Sequence, residues 1–117
     1  MTHAAEIVSL LGRQRFRMDN EKLLQQQVGL VLITAGIAFE REHVLSPGSR
    51  IDFLAGDVGI EAKIKGRRRA ILRQCERYCA HDAIAALIVI TNAAMGLPPE
   101  IAGKPLYVVE LGKAWLG

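Results

Sequence analysis

The chain has 117 residues, half of them apolar and 23% charged, which fits one globular domain with a core of its own and excludes a disordered chain. The two cysteines, Cys75 and Cys79, lie four apart on one predicted helix with no second pair to complete a zinc site, so both read as reduced packing residues of a cytoplasmic protein. No apolar run reaches the roughly 18 residues of a spanning helix, and no basic start with an apolar block marks a signal peptide, so no membrane partner is expected. Formal net charge is only +3, but Lys63, Lys65, Arg67, Arg68, Arg69, Arg73 and Arg77 put seven of the fifteen basic residues into one short stretch. A local positive stripe of this kind suits a phosphate backbone.

In chain order, residues 2–12 predict a short helix with Ile7, Leu10 and Leu11 on one side, ending at Gly12 before a basic Arg13, Arg15, Arg17 segment. A second helix runs from an N-cap at Asp19 or Asn20 to Ala35, with Leu23, Leu24, Val28, Leu30, Val31 and Leu32 apolar and Gly36 as terminator. Residues 37–45, 50–54 and 58–64 read as three strands, separated by Ser46-Pro47-Gly48-Ser49 and Ala55-Gly56-Asp57, so an antiparallel meander is expected. Gly66 breaks the chain and residues 68–81 return to helix. The apolar run 85–91 has the look of a strand buried on both faces, 92–104 reads as a loop with one helical turn, and 106–111 as a last strand. The fold class is α/β, a mixed sheet with helices on both faces.

The third strand carries the chemistry. Side chains alternate along a strand, so Glu61 and Lys63 share one face while Ile60, Ala62 and Ile64 take the other. Asp52 interrupts Ile51 and Phe53 in the neighbouring strand; alternation groups it with Arg50 and Leu54, and the short turn brings it next to Glu61. Two close carboxylates repel unless a cation lies between them, and Mg²⁺ is the usual hard cation in that position. With it, the site would polarise a scissile phosphate and activate a water, with Lys63 orienting or helping to deprotonate that water.

These residues, Ile51-Asp52 followed nine positions later by Glu61-Ala62-Lys63 across a hairpin, resemble the PD-(D/E)xK nuclease superfamily over about residues 19–111. The resemblance implies a restriction-endonuclease-like αβββαβ core and a Mg²⁺-dependent DNA nuclease, with Mn²⁺ as a substitute. Asp52, Glu61 and the Ala62 backbone carbonyl would hold the metal. Gln74-x-x-x-Tyr78 is similar to the QxxxY motif of RecB-type exonucleases, and implies support for Lys63 or a phosphate from those two side chains. Glu21 fits the acidic position that the superfamily often carries on its first helix, where it would add a carboxylate or order a water. Ile51 stands where the named motif has Pro, and the first helix lacks the histidine usual in RecB-type enzymes. Glu21 there is closer to Holliday-junction resolvases or stand-alone VRR-NUC domains, and the subfamily stays open between them. On this reading residues 1–18 form a helical extension and 19–117 the nuclease domain.

Lys65, Arg67, Arg68, Arg69, Arg73 and Arg77 are then expected to bind DNA phosphates. Structure-selective cleavage of a junction, flap or end is expected, because so small a domain leaves little room for a separate sequence-reading module. A homodimer would let two sites cut both strands, with the first helix and residues 106–116, Trp115 among them, as its contact. A non-catalytic DNA-binding domain on the same fold is the alternative. Glu40 and Glu42 read as solvated charges, and His43 and His81 as structural residues. No phosphate-cradling glycine loop, nucleophile elbow or Cys/His cluster is present, which removes nucleotide hydrolases, serine hydrolases and zinc modules.

Overall fold

The computed structural model describes residues 3–17, 19–92 and 95–111. Its elements are α1 (His3–Gly12), α2 (Glu21–Thr34), β1 (Glu40–Ser46), β2 (Ser49–Ala55), β3 (Val58–Lys63), α3 (Arg68–Cys79), β4 (Ala86–Thr91), β5 (Glu100–Ile101) and β6 (Lys104–Glu110). Asn20 is the cap of α2: its backbone is extended and its Oδ1 accepts from the Leu23 N–H at 2.7 Å. Asp19, the other predicted cap, pairs with Arg17 at 2.8 Å instead. Capping an orphan N–H in this way stabilises a helix by about 1 kcal/mol and sets where its first turn, and so Glu21, begins.

The six strands form one mixed α/β sheet in the order β1-β2-β3-β4-β6-β5. β1, β2 and β3 are the expected antiparallel meander. β4 lies parallel to β3 after the α3 crossover and β6 lies parallel to β4. Gly56, at φ +63°, supplies the left-handed residue of the tight β2–β3 turn. The region from 92 to 104 differs from expectation: Glu100–Ile101 pairs with the start of β6. A two-residue turn at Ala102 and Gly103, with φ of +54° and +77°, closes this small hairpin inside the stretch expected to be loop.

Helices cover both faces. Ile7, Leu11, Phe16, Leu24, Val28 and Leu32 pack from α1, α2 and their connection against Phe53, Ile60, Ile88 and Ile90. On the other face Ile71, Cys75, Tyr78 and Cys79 of α3 pack against Ile51, Leu87 and Val89. β4 is buried at every residue, as its apolar run demanded. Each buried Leu, Ile or Phe contributes about 1.5–3 kcal/mol, so the sheet is clamped from both sides. Both cysteines are free and buried. Ile7 and Leu11 of α1 are fully buried inside this core. Residues 112–116, part of the expected dimer contact, lie outside the described residues. No helix among the described residues is long and apolar enough to cross a membrane.

Candidate active site

The site sits where β2 and β3 part. Their Cα register runs through Ala55–Val58, Leu54–Gly59 and Phe53–Ile60, and goes no further. Beyond it side chains replace the ladder: the Asp52 N–H donates to Glu61 Oε1 at 3.1 Å, and the Ala62 N–H donates to Asp52 Oδ2 at 2.9 Å. Each carboxylate thus satisfies a backbone donor that the splayed strand would otherwise orphan. A strand residue's N–H and C=O point to the same side, so the Ala62 carbonyl also aims into this gap.

β2 departs from simple alternation at the same place. Phe53 and Ala55 face α1 and α2, whereas Ile51, which alternation would send with them, packs under α3. Opposite Asp52, Glu42 of β1 takes a φ of +50°, a conformation that L residues other than Asn and Asp seldom adopt. The irregular backbone turns Asp52 toward α2. It lines a groove of about 460 Å³ with Lys22, Gln25 and Gln26 of α2 and Arg41, Glu42 and Arg50 of the hairpin. Asp52 and Arg50 share this groove as expected, whereas Leu54, expected beside them, packs on the α3 side.

Glu61 and Lys63 do share a face, and their side chains pair at 3.4 Å, with the Glu61 side chain only 6% exposed. Burial, with the Asp52 carboxylate next to it, pushes the Glu61 carboxyl up to about 7. Burial raises Asp52 as well, against the opposing pull of the Ala62 N–H. Lys63 pulls on both carboxyls and Arg41 on Asp52, but burial outweighs these cations and keeps both raised. Glu21, at the start of α2, spends Oε2 on the Ile64 and Lys65 N–H groups at 3.0 and 3.4 Å, capping the end of β3. Its charge still acts on Asp52. Among the described residues no group of three or more His, Cys, Asp and Glu is placed to hold a metal ion.

Gln74 and Tyr78 stand one turn apart on α3 as the spacing required. The Gln74 amide donates to the Tyr78 hydroxyl, which donates to the Arg50 carbonyl, each at 2.8 Å. Arg50 and Asp52 are two apart on β2, so both aim their backbone groups at the gap. Tyr78 therefore satisfies a carbonyl that β3 no longer reaches. Gln74 and Tyr78 together thus hold β2 from the α3 side.

The basic stretch divides. The Arg68 guanidinium donates to the Met95 and Gly96 carbonyls at 2.7 and 2.9 Å and ties down that loop. Arg69, Arg73 and Arg77 are exposed, spaced four apart on the face of α3 away from the sheet, and Lys65 and Arg67 are exposed in and beside the turn before it. The basic residues beside Asp52 are instead Lys22, Arg41 and Arg50, which the sequence reading missed. The helical spacing of Lys22, Gln25 and Gln26 was the available signal; the partner strand was not legible. Arg41 lies 5.0 Å over the Phe53 ring and reaches Gln25 at 3.4 Å, bridging strand and helix. Glu40 pairs with His43 at 2.9 Å and Glu42 with Arg50 at 3.4 Å, while His81 contacts the Ser46 hydroxyl. No family model, curated protein or solved structure matches the chain.

Proposed function

We propose that the chain is a Mg²⁺-dependent deoxyribonuclease of the PD-(D/E)xK type, hydrolysing phosphodiester bonds, with Mn²⁺ able to replace Mg²⁺. The observation that carries this is the pair of desolvated carboxylates, Asp52 and Glu61, bridged across the β2–β3 gap with Lys63 on Glu61. The order α2-β1-β2-β3-α3-β4 supports the same reading.

The donor set fits a hard cation. Mg²⁺ commonly takes one or two carboxylates and fills its remaining positions with water and substrate phosphate, so two carboxylates and the Ala62 carbonyl suffice. Two adjacent desolvated carboxylates in a half-buried gap are what a divalent ion would stabilise. Bound there, the ion would supply Lewis-acid polarisation of the phosphate and charge compensation at the leaving oxygen.

This chain's own residues do the rest. Lys63, anchored by Glu61, presents an ammonium donor to an attacking water or to the phosphate. Asp52 forms the inner end of the α2–hairpin groove, whose Lys22, Arg41 and Arg50 bring the backbone of a DNA strand to the carboxylates. Tyr78 and Gln74 act as positioning residues by holding β2 beside Asp52.

The test is cleavage of linear duplex, single strand, flap and four-way junction in Mg²⁺, Mn²⁺ or EDTA. Wild type should cut at least one substrate with metal only, and Asp52→Asn and Lys63→Ala should each lose at least about 100-fold. Binding without cleavage by wild type would refute the nuclease reading and favour a non-catalytic DNA-binding domain.

A further inference from the structure

The groove that ends at Asp52 carries more than cations. Glu42 pairs with Arg50 at 3.4 Å and balances its charge, and the amides of Gln25 and Gln26 set acceptors as well as donors along the α2 wall. A path built for phosphates alone would offer donors throughout. Acceptors on the wall therefore point to a ligand group that donates hydrogen bonds as well as accepting them. Gln25 gives its oxygen to Arg41 Nη2 at 3.4 Å, which leaves its amide hydrogens for such a group, and Gln26 is exposed.

The strand wall carries a stacked platform. Arg41 stands opposite Phe53 in the β1–β2 register, so the two side chains lie on one face of the sheet. Phe39 meets the buried Phe53 ring edge-on, with centroids 5.6 Å apart, and the Arg41 guanidinium lies 5.0 Å over that ring. Its N–H donors leave in the guanidinium plane, Gln25 taking one of them, so the face turned away from Phe53 is left to the groove that Arg41 lines.

A planar cation with an open face and amides beside it suits a nucleobase: the base stacks on the guanidinium and its edge pairs with an amide. In continuous duplex each base is stacked on both sides and its pairing edge is taken, so the base has to be unpaired. The volume of about 460 Å³ matches one nucleotide, lying within the roughly 300–1,000 Å³ of pockets that take small organic molecules. Asp52, at the inner end, sets that nucleotide beside the carboxylate pair.

We infer that the groove receives one unpaired nucleotide next to the phosphate that is cut, its base stacked on Arg41 and its edge held by Gln25 and Gln26, so that the substrate is a single-stranded segment of DNA. The inference rests on the nuclease reading for the phosphate at Asp52 and adds to it the class of strand.

Fluorescence anisotropy in EDTA reads the groove without cleavage, using three labelled probes of equal length: a single strand, the same strand with abasic sites throughout, and a blunt duplex. Arg41→Lys keeps the charge and loses the plane. It should weaken binding of the intact single strand about tenfold, with the slope of log affinity against log salt unchanged, and leave the abasic strand and the duplex as they are in wild type. Gln25→Ala with Gln26→Ala should weaken the intact single strand about threefold and spare the abasic one. Arg73→Gln, on the outer face of α3, should by contrast act on intact and abasic strands alike. Melting temperatures of the exposed variants should stay at the wild-type value.

Arg41→Lys binding the intact strand like wild type, or losing equally on intact and abasic strands, would overturn the inference and leave the nuclease reading standing if wild type cuts. Wild type cutting blunt duplex as fast as single strand would do the same. A base-dependent loss in Arg41→Lys with a wild type that never cuts would keep the nucleotide groove and remove the nuclease. A wild type that binds no probe at low salt would remove both.

Discussion

Replacing Glu61 by Gln tests the electrostatics of the site directly. Folding raises this carboxyl from 4.5 to about 7 by burying it next to Asp52. Between those pH values the folded protein keeps a proton that the unfolded chain has released, so stability is greatest below about 4.5 and falls as pH rises through 7. The gap, at about 1.4 kcal/mol for each pH unit, makes the ionised carboxylate cost the metal-free fold about 3 kcal/mol. Gln keeps the shape and an oxygen for the Asp52 N–H but cannot ionise. The 3.4 Å pairing with Lys63 is already inside that figure, because the lysine is among the groups that pull the Glu61 carboxyl down. Glu61→Gln should therefore stay within about 1 kcal/mol of wild type near about pH 5 and exceed it by about 3 kcal/mol near about pH 8.5, or roughly 12 °C in melting temperature. Urea and thermal unfolding in EDTA at the two pH values measure this. Adding Mg²⁺ at about 100 times its dissociation constant should stabilise wild type by about 2.7 kcal/mol and the variant much less. A wild type whose stability is flat between the two pH values, or a variant less stable than wild type at the alkaline end, would refute the reasoning.

Two further outcomes concern the frame around the site. Tyr78→Phe removes the donor to the Arg50 carbonyl and should destabilise the protein by about 1–3 kcal/mol, read by urea unfolding. Faster amide exchange at Asp52 and Ala62 should accompany the loss, and unchanged exchange there would contradict a positioning role. Gly59→Ala would set a methyl into Ile51 Cδ1 and within 3.0 Å of Ile84 Cδ1, so overpacking should cost about 1–3 kcal/mol. Equal melting temperatures would show that the α3 face of the sheet repacks freely.

Local pattern alone determined a great deal. Helical spacing placed α2 and α3, the turn residues at 46–49 and 56–57 placed the meander, and the unbroken apolar run of β4 marked the central strand. These features were legible because each depends on residues a few positions apart. The pairing of Glu61 with Lys63 followed from period-two alternation, and the approach of Asp52 from a short hairpin. What the tertiary structure decided was where alternation fails. β2 and β3 part beyond Phe53 and Ile60, so Asp52 turns into the α2 groove, and the carboxylates, the Tyr78 hydroxyl and the Glu21 cap take over backbone donors and acceptors that a continuous ladder would have used. The same limit applies to the groove cations: Lys22, Arg41 and Arg50 are scattered in sequence and meet only because α2 packs over the hairpin. A one-dimensional pattern records which face a residue prefers under regular geometry; the packing of three elements against one another settles where that geometry breaks, and here it breaks at the carboxylates.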